Sequence, residues 1–211
     1  MDITEVIQHQ HDDQRRMFAY LEQWPREDHE GLASVWGRLA ILLETHAEAE
    51  ELYFYPELLR LGTGGADAES TDEEVEDAMK DHNEIRAAVR AAADHEPGSE
   101  QWWTAVIDAN VQNSDHMGEE ERQDLADFRQ QATLELRHEI AVSFLRYESR
   151  KAAVGIPSVD KDPEEYVADR GSDSETDAER NAAGWAAEAV EGHPTTGAGA
   201  SKTSSPEGDE A

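Results

Sequence analysis

Up to about residue 150 the apolar residues recur at helical intervals, and nowhere do they alternate with the period of two that marks a strand. Ile3, Ile7, Phe18 and Leu21 form one stripe, broken before Pro25. Val35, Leu39, Leu42, Leu43, Tyr53, Phe54, Leu58 and Leu61 form a second. The Gly-rich segment LGTGGADAES separates it from a third, Val75, Met79, Ile85, Val89 and Ala92. The turn HEPGSE then opens a fourth, Trp102, Ala105, Val106 and Ala109. A shorter stripe, Leu134, Leu136, Ile140, Phe144, Leu145 and Tyr147, follows. Caps stand at the starts: Asp2 before ITE, Thr71 before DEEV as a capping box, and Ser99 before EQW. Pro56 is expected to kink the second helix, because it removes a hydrogen bond to residue i−4. The pattern predicts an all-α chain: an up-down-up-down four-helix bundle over residues 1–151, with an extra short C-terminal helix. Residues 152–211 are rich in Asp, Glu, Ser, Thr, Gly and Pro and poor in apolar side chains. They are expected to form an acidic, mostly disordered tail, with at most a short helix around 177–190.

Charge limits the partners. Lys+Arg 18 against Asp+Glu 49 leaves a net charge of −31. Phosphate recognition needs clustered Lys and Arg, so neither a nucleic acid nor an anionic membrane surface is an expected partner. No apolar run approaches the ~20 residues of a membrane-spanning helix. The start, MDITEVIQHQHDDQRRM, lacks the basic and apolar regions of a secretory signal, which points to a cytoplasmic protein. With Cys 0, disulfides, thiolate nucleophiles and iron–sulfur ligation are excluded. Only Lys80, Lys151, Lys161 and Lys202 are lysines. An acid-rich, lysine-poor chain looks like a halophilic protein kept soluble at molar salt, where a Debye length of ~3 Å screens self-repulsion.

The nine histidines are where chemistry is to be sought. Two stand in an H-x-x-x-E pattern, His46 with Glu50 and His116 with Glu120, which places imidazole and carboxylate one helical turn apart on one face. His11 precedes His46 by 35 residues and His82 precedes His116 by 34, so the unit "one His, then H-x-x-x-E one helix later" occurs twice. The neighbourhoods match loosely: HDDQR against HNEIR, and HAEAEE against HMGEEE. Two hairpins related by a pseudo-two-fold axis would converge on one point, as a two-metal site in a bundle requires. All six residues lie in phase with the apolar stripes, whereas His9 faces solvent. His29, His95, His138 and His193 fall in connections, surface positions or the tail. Carboxylates at core positions without partners are costly, so two beside four histidines call for a cation.

His11 with its following Asp, H46-AEAEE-LYFYP, D81-H82 and H116-MGEEE together resemble the hemerythrin / HHE cation-binding domain over roughly residues 2–150. The resemblance implies a hemerythrin-like bundle with a non-haem di-iron centre. His11 and His46 would hold one iron, His82 and His116 the other, with Glu50 and Glu120 bridging. Imidazole and carboxylate also suit manganese or zinc. Oxygen-carrying members add a histidine one turn from the third-helix ligand; here those positions are Ala78 and Arg86. Water, a further carboxylate (Glu51, Asp81, Glu84 or Glu119) or Tyr53 would then complete the coordination. Trp36, Trp102 and Trp103 are bundle packing. The implied function is binding or sensing of O₂, peroxide or nitric oxide, or holding of iron, by a binding protein rather than a dedicated enzyme. A peroxide-decomposing di-iron enzyme and a metal-free helical interaction module are the alternatives.

Overall fold

A computed structural model describes residues 1–64, 70–152, 155 and 158–171. Among these residues the chain is helical and contains no strand. In order come α1 (Ile3–Gln23), α2 (His29–Ala49), a π-helical turn (Glu50–Phe54), α3 (Tyr55–Leu61), α4 (Thr71–Ala93), α5 (Glu100–Arg122), α6 (Asp124–Gln131), α7 (Leu134–Lys151) and α8 (Pro163–Gly171). α1 packs along α2 and α4 along α5, giving the two expected hairpins. α7 lies against α1, α2 and the π turn. No helix among the described residues is long and apolar enough to cross a membrane.

The caps explain where these helices start. Asp2 accepts from the Thr4 N–H and Ser99 from the Trp102 N–H, as expected. For α4 the cap is one residue earlier than expected. Ser70, in extended backbone, accepts from the Glu73 N–H at 3.2 Å, so the capping box runs from Ser70 to Glu73 and Thr71 is already helical. Between α4 and α5 the Ser99 N–H donates to the Glu96 carbonyl at 3.0 Å. Gly98 takes the left-handed conformation that a Pro-Gly type II turn demands, with φ +86.

Pro56 acts differently from the expected kink. It sits in the first turn of α3, where a missing N–H costs little, and the residues before it widen into a π turn closed by the Tyr55 N–H onto the Glu50 carbonyl. The extra residue changes the register: Tyr55, not Tyr53, turns inward and is fully buried. Tyr53 is partly buried and meets the Tyr147 ring at 6.0 Å.

Two helices are unforeseen. α6 follows α5 after a break at Gln123 and buries Leu125 and Phe128. α8 packs on α4 and α3 and buries Tyr166 and Val167. The packed chain therefore extends past the expected boundary at residue 151 to residue 171. Leu134, read as part of the fifth stripe, is exposed at the start of α7. The helix expected around 177–190 and the rest of the acidic tail lie outside the described residues.

Apolar burial divides into two clusters. One gathers Ile3, Ile7, Phe54, Leu58, Val75, Met79, Phe128 and Phe144. The other gathers Phe18, Leu21, Trp36, Leu39, Ile85, Trp102, Trp103 and Val106. Along α1, the interval between Ile7 and Met17 holds buried His11 and Gln14; along α2 and the π turn, the interval between Leu43 and Phe54 holds His46 and Glu50. A polar layer thus separates the clusters. The second cluster is stacked, with Trp36 and Trp102 edge-on at 6.0 Å, Trp102 and Trp103 at 4.8 Å, and the Arg26 guanidinium over Trp103 at 3.6 Å. Trp102→Ala is expected to lower unfolding stability by about 3–5 kcal/mol, since it opens a cavity at a side chain 1% exposed. Chemical denaturation monitored by circular dichroism checks this.

Candidate metal centre

The polar layer is built by helical spacing. One turn of α2 brings His46 Nε2 to 2.9 Å from Glu50 Oε1. Across the bundle, Glu50 Oε2 lies 3.3 Å from His82 Nε2, and His82 Nε2 lies 3.2 Å from His116 Nε2. His11 Nε2 is 3.1 Å from Glu120 Oε2. All six residues expected from sequence are buried and converge. Their ligand atoms form two groups, His11–His46–Glu50–Glu120 and Glu50–His82–His116, each with every atom within 4.8 Å of the others. Glu50 belongs to both groups through its two oxygens. Glu120 belongs to one group; its other oxygen accepts from the Tyr55 hydroxyl at 3.2 Å.

Behind each imidazole the opposite nitrogen faces an oxygen. His11 Nδ1–H donates to Glu121 (2.9 Å), His46 Nδ1–H to the Gln10 amide oxygen (2.6 Å) and His82 Nδ1–H to Glu51 (2.8 Å). His116 Nδ1 lies 3.4 Å from Asp81. These partners follow the internal repeat. The residue before the first histidine of each copy (Gln10, Asp81) serves that copy's second histidine. The glutamate after each inward glutamate (Glu51, Glu121) serves the other copy's first histidine. An arginine four residues after that first histidine grips the same glutamate, Arg15 on Glu121 at 2.8 Å and Arg86 on Glu51 at 2.7 Å. The doubled glutamates and the shared Arg of HDDQR and HNEIR carry this signal in the sequence. Glu51 and Asp81 thus stand behind imidazoles. Glu84 and Glu119 are exposed, and the tyrosine at the centre is Tyr55 rather than Tyr53. His9 is exposed, as its phase requires.

The electrostatics are those of buried imidazoles and carboxylates set against one another. Burial works against charge on His11, but the Glu120 and Glu121 carboxylates beside it outweigh that and raise its pKa from 6.5 to about 9. Burial likewise opposes charge on His82, and Glu50 and Glu51 raise it to about 9. Glu50, despite full burial, is held well below the usual carboxylate range by His46 and His82. Glu51 falls to about 2, its burial outweighed by His82, Arg86 and Lys161. Even so, His11 Nε2, His46 Nε2, both oxygens of Glu50 and Glu120 Oε2 have no aligned hydrogen-bond partner. Buried polar atoms left in that condition are costly unless a cation joins them. Imidazole nitrogens with fixed Nδ1–H groups, facing carboxylate oxygens, are a donor set that metals such as iron, manganese and zinc accept.

A cavity of about 270 Å³ reaches the layer from the side of α4 and α5, passing Ala78 to His116, Glu120 and Asp124. Asp124 is buried, and its carboxyl is raised well above the usual range by burial and by the charges of Glu120, Glu74 and Glu50.

Since the pKa values of His11 and His82 are higher folded than unfolded, their contribution to stability is complete below pH 6.5 and is lost as pH rises through about 9. The melting temperature of metal-free protein is accordingly expected to fall over that interval in calorimetry, and His11→Gln to shrink the fall.

No curated protein and no solved structure matches the chain. A family model does match, the hemerythrin HHE cation-binding domain, over residues 2–128. Those residues span more than half of the chain and contain all six converging ligand candidates, and the chain belongs to the hemerythrin HHE cation-binding domain family.

Proposed function

We propose that His11, His46, Glu50, His82, His116 and Glu120 hold two iron ions, with Glu50 shared between them. On this reading the protein binds or senses O₂, peroxide or nitric oxide, or holds iron, as a binding protein rather than a dedicated enzyme. The observation that carries the reading is that the Nε2 atoms of His11 and His46 and the buried oxygens of Glu50 and Glu120 converge without aligned partners, beside His82 and His116, while each ring has an oxygen at Nδ1 behind it. Iron bound there would supply ligand exchange and one-electron chemistry.

The chain's own residues do the rest. Glu121, Gln10, Glu51 and Asp81 orient the rings and keep the inner nitrogens free to ligate. The apolar clusters on either side keep bulk water from the layer. Ala78, one of the two positions a turn from His82, lines the cavity and leaves a small molecule room to approach His116 and Glu120. Tyr55 donates a hydrogen bond to Glu120 and fixes that carboxylate.

One observation favours the alternative of a peroxide-decomposing enzyme. Asp124 lines the cavity, and burial together with the charges of Glu120, Glu74 and Glu50 raises its carboxyl well above the usual range, which favours the acid form where an entering peroxide would pass. Sustained peroxide turnover that collapses in Asp124→Asn would decide for the enzyme. A stoichiometric spectral change with O₂ or nitric oxide, without turnover, would decide for the binding protein.

Elemental analysis of untagged protein is expected to give two irons per chain, against manganese or zinc as competitors. Glu50→Gln should reduce this to one or fewer, whereas His9→Ala should leave it at two. Absence of metal after iron supplementation would leave the metal-free helical interaction module.

The charge of −31 supports a further part of the reading, work in the cytoplasm of a cell with high internal salt. Because salt screens the self-repulsion of such a chain, its melting temperature is expected to rise steadily from 0.1 M to 2 M KCl in thermal scans; a flat or falling curve would contradict this.

A further inference from the structure

The residues behind the two halves of the centre match until residue 158 enters. Arg15 and Glu121, behind His11, remain 41% and 24% exposed, while their counterparts Arg86 and Glu51, behind His82, are 2% and 0% exposed. On the Glu51 side, and not on the Glu121 side, stand residues 158–171, which lie beyond the family match. This segment is tied down at several points. The Asn83 amide donates to the Lys161 carbonyl at 2.8 Å, and the Lys161 N–H donates to the Asn83 side-chain oxygen at 3.1 Å. The Arg90 guanidinium clasps the Asp160 carboxylate at 2.9 and 3.1 Å. The Tyr166 hydroxyl donates to the backbone carbonyl of Glu51, inside the π turn.

So anchored, Lys161 sends its ammonium inward to Glu51 Oε2 and to Glu48, the latter at 2.9 Å. Glu51 Oε1 already accepts from His82 Nδ1–H and from Arg86. A carboxylate held at one oxygen can pivot; one held at both cannot. The charges around Glu51 also divide unevenly without the lysine. Arg86 is shared with Glu44 at 3.5 Å, whereas Lys161 supplies a cation on the other side.

We propose that residues 158–171 are a positioning strap for the metal centre, in which Lys161 acts through Glu51 to fix the His82 imidazole. The proposal rests on the reading of His82 as a ligand. Its signature is one-sidedness, because Glu121 and Gln10, behind His11 and His46, have no bond to the strap. The two metal positions are consequently unlike, one braced by buried charges and the other backed by the part-exposed Arg15–Glu121 pair.

The test compares full-length wild-type, Lys161→Met and Lys161→Arg proteins, each titrated with cobalt(II). Occupancies near His82–His116 and near His11–His46 are read separately by anomalous scattering from cobalt-grown crystals. Lys161→Met is expected to weaken binding at the His82–His116 position about 10- to 100-fold, the range for partners of ligating histidines, and to spare the other position; Lys161→Arg should restore most of it. Unchanged binding, or equal weakening at both positions, overturns the proposal. If Lys161→Met does not fold, Asn83→Ala and Tyr166→Phe loosen the strap with every charge kept, and the same one-sided loss is required of them. A second readout needs no metal. In metal-free protein, the ¹⁵N shifts of the His82 ring are expected to move in Lys161→Met while those of His11 and His46 stay, and a still His82 also overturns the proposal. A wild type that takes up no cobalt or iron removes the proposed function instead, and the metal-free ring shifts then decide the strap alone.

Discussion

Everything in this bundle accommodates one demand, that four imidazoles and the carboxylates of Glu50, Glu51 and Glu120 stand inside it, between two apolar clusters. Removing such groups from water costs several kcal/mol per charge unless they are paired and hydrogen-bonded. The metal-free protein meets that cost with protons: His11 and His82 hold theirs to about pH 9, and Glu50 stays ionised between His46 and His82. A metal ion would do by coordination what those protons do by charge. Loading would then exchange one set of cations for another in a layer whose shape is already set.

That shape comes from a duplicated pattern used crosswise. Each copy's doubled glutamate sends its first carboxylate to the centre and its second to the first histidine of the other copy, so the hairpins α1–α2 and α4–α5 brace each other. The exchange means that neither hairpin alone has a complete set of outer partners. It also explains why Arg86 stands one turn beyond His82: like Arg15, it serves a glutamate. Ala78, one turn on the other side, leaves the cavity open. The two positions that flank His82 by one turn thus have separate structural uses, charge support at one and access at the other.

How much of this was legible in the sequence depends on whether the backbone kept its helical register. His11, His46, Glu50, His82, His116 and Glu120 lie on stretches where each residue advances by ~100°, so phase alone placed them inward and His9 outward. Tyr55 was missed because the π turn adds a residue just before it, and a pattern assuming unbroken helix assigns the inward place to Tyr53. The partners of the Nδ1 atoms were missed for another reason. Glu51 and Glu121 point about a quarter-turn away from the centre and find their histidines only on a neighbouring helix, a relation that periodicity within one helix does not encode. α8 was hidden by composition. Its segment is acidic and offers only Tyr166 and Val167 to the core, and much of what holds it is polar, from Asn83, Arg90 and Glu51.

The acid excess itself has two unlike parts. The exposed acids set solubility and the response to salt, and few of them are constrained by position. Three buried ones at the centre are fixed by geometry, each facing a nearby basic or hydroxyl group: Glu50 faces His46 and His82, Glu51 faces Arg86 and Lys161, and Glu120 faces His11 and Tyr55. Lys161 is one of only four lysines in the chain. In a protein that has so largely given up ammonium groups at its surface, placing one against a buried carboxylate behind a candidate ligand ties the least bundle-like segment of the described chain to its most constrained layer.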